Sequence, residues 1–147
     1  MTTQFVVPSG STALAAATAK TVLVGTTTAN VPCEWIAVDI MFDGTTSTAV
    51  PVLVEFCTYT GSGTGSAVTP GRLGQAVGTA ATTWKNAVTV EPTSPTVLFA
   101  WWVPPTSGLW YQWPLGRELF HNVSANQGIR LTAPAVVNCR VNITIEE

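Results

Sequence analysis

The sequence predicts an all-β protein: a single antiparallel β-sandwich or barrel of jelly-roll type with an extended N-terminal arm. Three observations lead there. Helical periodicity is nearly absent, and the abundant Thr, Val, Gly and Pro favour strands and turns over helix interiors. Several segments alternate with the two-residue period of a strand. Pro, Gly and Asp then punctuate these segments at turn positions. The result is eight or nine short strands without an internal repeat, heptad or interdomain linker.

Taken in order, residues 1–19 form the expected arm and residues 20–147 the sandwich. The arm, Thr2 to Ala19, is uncharged and rich in small residues, which suits an extended segment reaching a neighbouring subunit. Its Ala-rich part, Thr12 to Lys20, is the one helix candidate. It leads directly into β-prone Thr21 to Val24 with little amphipathic pattern, so strand is expected there too.

From Cys33 to Phe42, strict alternation puts Glu34, Ile36, Val38, Ile40 and Phe42 on one face. Cys33, Trp35, Ala37, Asp39 and Met41 then share the other, and Asp43-Gly44 supplies a turn. Val50 to Thr58 alternates next, with Pro51 marking a strand start or an edge. Thr58 to Gly65 reads as a flexible loop. Thr96 to Val103 is a strong strand closed by Pro104-Pro105, Leu109 to Trp113 follows, and Pro114 to Gly116 turns the chain. Gly128 to Ala133 pairs Ile129 with Leu131 on one face. The last strand, Asn138 to Ile145, turns Cys139, Val141, Ile143 and Ile145 inward.

Composition removes several function classes. Only 10% of the 147 residues are charged, against about 25% in an ordinary soluble domain. The six basic residues do not cluster, which excludes a phosphate-binding groove for nucleic acid. Pro92 to Gly116 carries no charge at all, but its five prolines forbid a membrane-spanning helix. No signal peptide is evident, because the N-terminus lacks a basic region and Pro8, Ser9 and Gly10 break its apolar run. The three cysteines are far apart and lie in apolar strands, so buried free thiols are expected.

Catalytic constellations are equally scarce. His121 is the lone histidine, expected in a solvated loop; a triad would need Asp39 or Asp43 with it, and no G-x-S-x-G elbow occurs. Glu55, inside an apolar strand, reads as a buried salt bridge or an edge residue rather than half of a glycosidase pair. No metal-ligand spacing, calcium loop or phosphate-cradling loop occurs, so no catalytic, cofactor or metal residue is assigned. What remains is aromatic. Trp101 and Trp102 fall on opposite sides of a strand, and Trp110 and Tyr111 repeat that arrangement, with Trp113 on the side of Tyr111. Core or subunit-interface packing is the favoured reading, and a sugar-stacking platform the alternative. Phe5, Trp101, Trp102, Trp110, Tyr111 and Trp113 are the candidate interface residues.

Several segments also carry a resemblance. The run Gly108 to Glu118, the segment Gly128 to Asn138, the closing Val141 to Glu147, the Phe42 to Gly44 turn, Pro51 to Cys57 and the Ser11 to Leu14 start resemble small structural proteins of tailed bacteriophages. The resemblance implies a virion component, specifically a head decoration (cement) protein on the capsid surface. It would bind the major capsid protein, self-associate as a homotrimer and need no cofactor. A head-fibre or tail-fibre subunit, or a carbohydrate-binding module attaching to host-surface glycans, is the alternative.

Overall fold

The computed structural model describes residues 3–43, 50–74 and 78–147, and all of its regular structure is β. The described residues form thirteen strands: β1 (Gln4–Pro8), β2 (Thr12–Leu14), β3 (Ala19–Thr26), β4 (Cys33–Phe42), β5 (Val52–Tyr59), β6 (Thr64–Val68) and β7 (Gly71–Arg72). They continue with β8 (Thr83–Val90), β9 (Thr96–Val103), β10 (Leu109–Gln112), β11 (Leu119–His121), β12 (Asn126–Thr132) and β13 (Val137–Glu146). One sheet has the order β10-β4-β13-β1-β7, with β11 also on β4 and β2 also on β13. The other has the order β6-β8-β3-β12-β5-β9. Every ladder between named strands is antiparallel. No ladder joins the two sheets among the described residues, so the fold is a two-sheet sandwich rather than a closed barrel.

The core lies between the sheets because each contributes an apolar inner row. Cys139, Val141, Ile143 and Ile145 of β13 face Val54 and Phe56 of β5 and Ile129 and Leu131 of β12 in one cluster. Burying a side chain of this size contributes about 1.5–3 kcal/mol, so these strands dominate stability.

Two expectations change. The alternation in β4 does not run straight through. Ile145 pairs with Trp35 and Thr144 with Ala37, so Ile36 is a bulge that reverses the facing of what precedes it. Cys33 and Trp35 are therefore buried together with Val38 and Ile40, while Glu34 is exposed. Residues 3–19, moreover, do not reach off the sandwich as an arm. Gln4 to Pro8 pair along Glu146 to Asn142, and Phe5 and Val7 enter the core. The Ser9 amide donates to the Val141 carbonyl at 2.7 Å, and the Ser9 hydroxyl accepts from the Val141 amide at 2.9 Å. The alternation of Phe5 and Val7 is what makes this segment a sheet strand. Gly44 of the expected turn lies outside the described residues.

A small second core sits on the outer face of the six-stranded sheet. Cys57 and Tyr59 point away from Phe56 and join Val24 and Val88. Ala87 takes a positive φ of 43°, and the chain beyond it lies across this face, with Lys20 Nζ bonded to the Val88 carbonyl and the Thr21 amide to Glu91. Gly128 allows the arrangement: a Cβ there would meet the Leu23 carbonyl oxygen at 2.3 Å and the Tyr59 ring at 3.2 Å.

Candidate interaction surface

The uncharged stretch of the sequence builds one side of the sandwich. β9 is the outer strand of one sheet, β10 is an outer strand of the other, and the tight connection Pro104 to Gly108 brings the two edges together. The amides of Ser107 and Gly108 both donate to the Pro104 carbonyl, at 3.2 and 3.0 Å. Gly108 has φ 65°, and a Cβ there would meet the Ile40 carbonyl oxygen at 2.4 Å, so the turn requires glycine.

Aromatic rings close the gap between these edges. Phe99 stacks on Phe56 with centroids 4.5 Å apart, and Trp101 meets Phe56 edge-on at 5.2 Å. Trp101 then contacts Tyr111 at 4.8 Å, and Tyr111 meets Trp113 at 5.3 Å. Such pairs add about 0.5–1.5 kcal/mol each beyond area burial. The cluster thus seals the core while leaving Phe99, Trp101 and Tyr111 half-buried at its outer rim.

The candidate residues therefore divide. Phe5 and Trp113 are core residues and are not available to a partner in this fold; both belong to the central cluster. Trp101 and Tyr111 are half-buried. Trp102 and Trp110 are each 67% exposed, with Trp102 opposite Leu53 on one sheet and Trp110 opposite Asp39 on the other. The opposite facing of adjacent aromatics holds, so Trp102 and Trp110 do not share one flat platform.

Trp102 stands between two apolar hollows. One, of about 360 Å³, is lined by Trp101, Trp102, Pro104, Leu109 and Tyr111 among others. The other, of about 310 Å³, lies on the outer sheet face among Ala17, Val50, Pro51, Leu53 and Pro134. Neither lining contains a charged residue. Val97 and Leu98, 42% and 45% exposed, extend the same apolar edge. Sequence reading missed them, because Leu98 is a bulge between Phe99 and Val97 that parity alone does not reveal. Exposed apolar patches of this kind mark interaction surfaces.

Groups with catalytic potential lie elsewhere and apart. His121 is fully buried on β11 opposite Cys33, not solvated in a loop. Its ring packs against Trp35 and Trp84 at 6.3 and 6.5 Å, and Nε2 lies 3.1 Å from the Ala125 carbonyl. Burial pushes its pKa down to about 4, partly offset by that carbonyl and by Glu147. Asp39 pairs with Trp110 six positions along β4, about 20 Å of strand away, and no histidine–aspartate couple forms. All three cysteines are free and buried; burial raises each thiol, Cys139 to about 12. Glu55 takes the first of its two expected roles, a salt bridge to Arg130 at 2.8 Å with both side chains largely buried. Among the described residues no group of three or more His, Cys, Asp and Glu side chains could hold a metal ion, and no helix is long and apolar enough to cross a membrane.

No protein-family model, curated protein or solved structure matches the chain. Fold and surface together define a two-sheet antiparallel β protein with an uncharged, aromatic-rich stretch along one edge.

Proposed function

We propose that this chain is a non-enzymatic virion structural protein, a head decoration protein that binds the outside of the capsid and stabilises contacts between major capsid proteins. The observation that carries the reading is the uncharged stretch that forms β9 and β10, with Trp102 and Trp110 exposed on the two outer faces that flank their shared edge. Exposed tryptophans on a stretch without charge suit a molecule that spends its life against other subunits, because interface cores are depleted in charge and enriched in Trp and Tyr.

The strand order supports the same class. We read it as a jelly roll of eight strands, β10-β4-β13-β1 in one sheet facing β9-β5-β12-β3 in the other, with β6 and β8 added beside β3. Two four-stranded sheets wound in this order are the architecture of many capsid and lectin domains. Fold alone does not assign function, so the surface carries the proposal and the topology only favours it.

The test is co-sedimentation of the purified protein with undecorated capsid shells. Saturable binding that is lost in Trp102→Ala and Trp110→Ala supports the proposal, and absence of binding refutes it. Self-association is part of the reading, and a native mass measurement gives its order, three being what the resemblance implies. A second reading, attachment to host-surface glycans, is favoured by the hollow at Trp101, Trp102 and Tyr111. It predicts a change in tryptophan fluorescence on adding polysaccharide, and flat titrations would remove it.

A further inference from the structure

We propose that the uncharged side is a twofold contact with a second copy of this chain, in which β9 pairs antiparallel with β9 of that copy. The six-stranded sheet then continues across the dimer. This contact requires no capsid; it replaces the threefold association that the resemblance implies, and capsid binding is decided separately by co-sedimentation.

The backbone supplies the first argument. Among the described residues β9 pairs with β5 on one side and with no strand on the other. Folded proteins blunt such edges with short strands, proline, glycine or charge. The other outer strands follow that rule: β7 has two residues, β2 and β11 have three each, β6 has five including Gly65, and β10 has four, bounded by Pro104-Pro105 and Pro114. By contrast β9 has eight residues, TVLFAWWV, with no proline, glycine or charge. A long apolar edge of this kind is a template for another strand.

Charge then selects the occupant. From Pro92 to Gly116 the chain offers a partner no ionic group. The one charge directly across from β9 is Glu55, opposite Ala100, and Arg130 already holds it. A matching strand must therefore be uncharged over about 26 Å, the length of eight extended residues. An ordinary surface, about a quarter charged, rarely offers that. The same edge of a second copy does.

Side-chain facing sets the register. Residues directly opposite in an antiparallel pair point to the same face. A twofold axis at Ala100 places Ala100 against Ala100 of the second copy, where the small side chain permits close approach. It also sets Phe99 opposite Trp101 of the second copy, and Trp101 opposite its Phe99, so the half-buried rims of the two aromatic clusters cover each other. Leu98 comes beside Trp102 of the second copy on the outer face. The contact is isologous and closes on itself, so it removes both open edges without generating a fibre.

Sedimentation equilibrium of the isolated protein tests the proposal, with Ala100→Lys and Ala100→Glu as variants. Ala100 is exposed, and far-ultraviolet circular dichroism verifies that each variant is folded. The wild type should reach twice the 15.4 kDa chain mass. Like charges placed directly opposite should weaken association at least about tenfold in either variant alone. An equal mixture of the folded Lys and Glu variants should recover it as a heterodimer. A wild type that stays monomeric at every concentration, a trimer, a dimer indifferent to Ala100→Lys, or folded variants that fail to re-associate when mixed would each overturn the twofold contact.

Discussion

Acidification from pH 7.5 to pH 5 should destabilise this protein through a single side chain, His121. The imidazole is fully buried between Trp35 and Trp84, which holds its pKa at about 4 in the folded state. In the unfolded chain it returns to about 6.5. Between those values the unfolded state binds the extra proton, so stability rises with pH there and falls on acidification. The contribution is fully present above about pH 6.5 and is lost as pH drops toward about 4. Linkage with these two values gives a loss of about 2 kcal/mol at pH 5 and about 3 kcal/mol at pH 4. The folded-state value already includes the opposing pull of Glu147, whose carboxylate favours the imidazolium. The assay is urea unfolding of the wild type and His121→Gln at both pH values. Carboxylates that titrate in the same range cancel in the difference between the two proteins. The stability advantage of the wild type should shrink by about 2 kcal/mol between pH 7.5 and pH 5. A pH-independent difference, or a folded-state imidazole that titrates near 6.5 by NMR, would refute the reasoning.

Other perturbations follow from the same geometry. Gly128→Ala forces a Cβ against the Leu23 carbonyl and the Tyr59 ring, and should cost about 3 kcal/mol in thermal or urea unfolding. Arg130→Met leaves the largely buried Glu55 carboxylate unpaired and should cost about 2 kcal/mol, most of it recovered in the Glu55→Leu, Arg130→Leu double variant. Trp102→Ala should change stability by less than about 0.5 kcal/mol, because the indole is mostly exposed, yet impair association. In native protein the three thiols should resist a thiol reagent, and all should react on unfolding.

Much of the fold was legible because alternation reports facing within one strand. The inner rows of β12 and β13 and the bounds of β4 and β9 could be read directly from apolar residues two apart. Parity fails at a bulge, however, and bulges are set by the neighbouring strand. Nothing local at Ile36 or Leu98 announces that Trp35 will be buried or that Val97 will be exposed. The N-terminal strand was missed for a related reason. Its hydrogen-bond partners on β13 lie more than 130 residues away, and a short uncharged segment reads equally well as an arm until that pairing exists. His121 looked solvated because its neighbours Asn122 and Ser124 are polar. Its burial comes from Trp35 and Trp84, each supplied by a different sheet.

The candidate surface was half legible. Absence of charge from Pro92 to Gly116 marked the region, and alternation separated Trp101 from Trp102 and Trp110 from Tyr111. Which of the rings would seal the core and which would remain outside depended on Phe56, brought in by β5. Charge shortage was therefore the informative signal, whereas aromatic identity drew Phe5 and Trp113 into the candidate set although both are core residues.

The most direct test of the central claim, that the β9 and β10 side is what partners cover, is hydroxyl-radical footprinting of each tryptophan in the free and assembled protein. Trp102 and Trp110 should be oxidised readily in the dilute protein and strongly protected on assembly, while buried Trp35 and Trp84 stay unreactive in both. Equal oxidation of Trp102 in the free and assembled states would contradict the account.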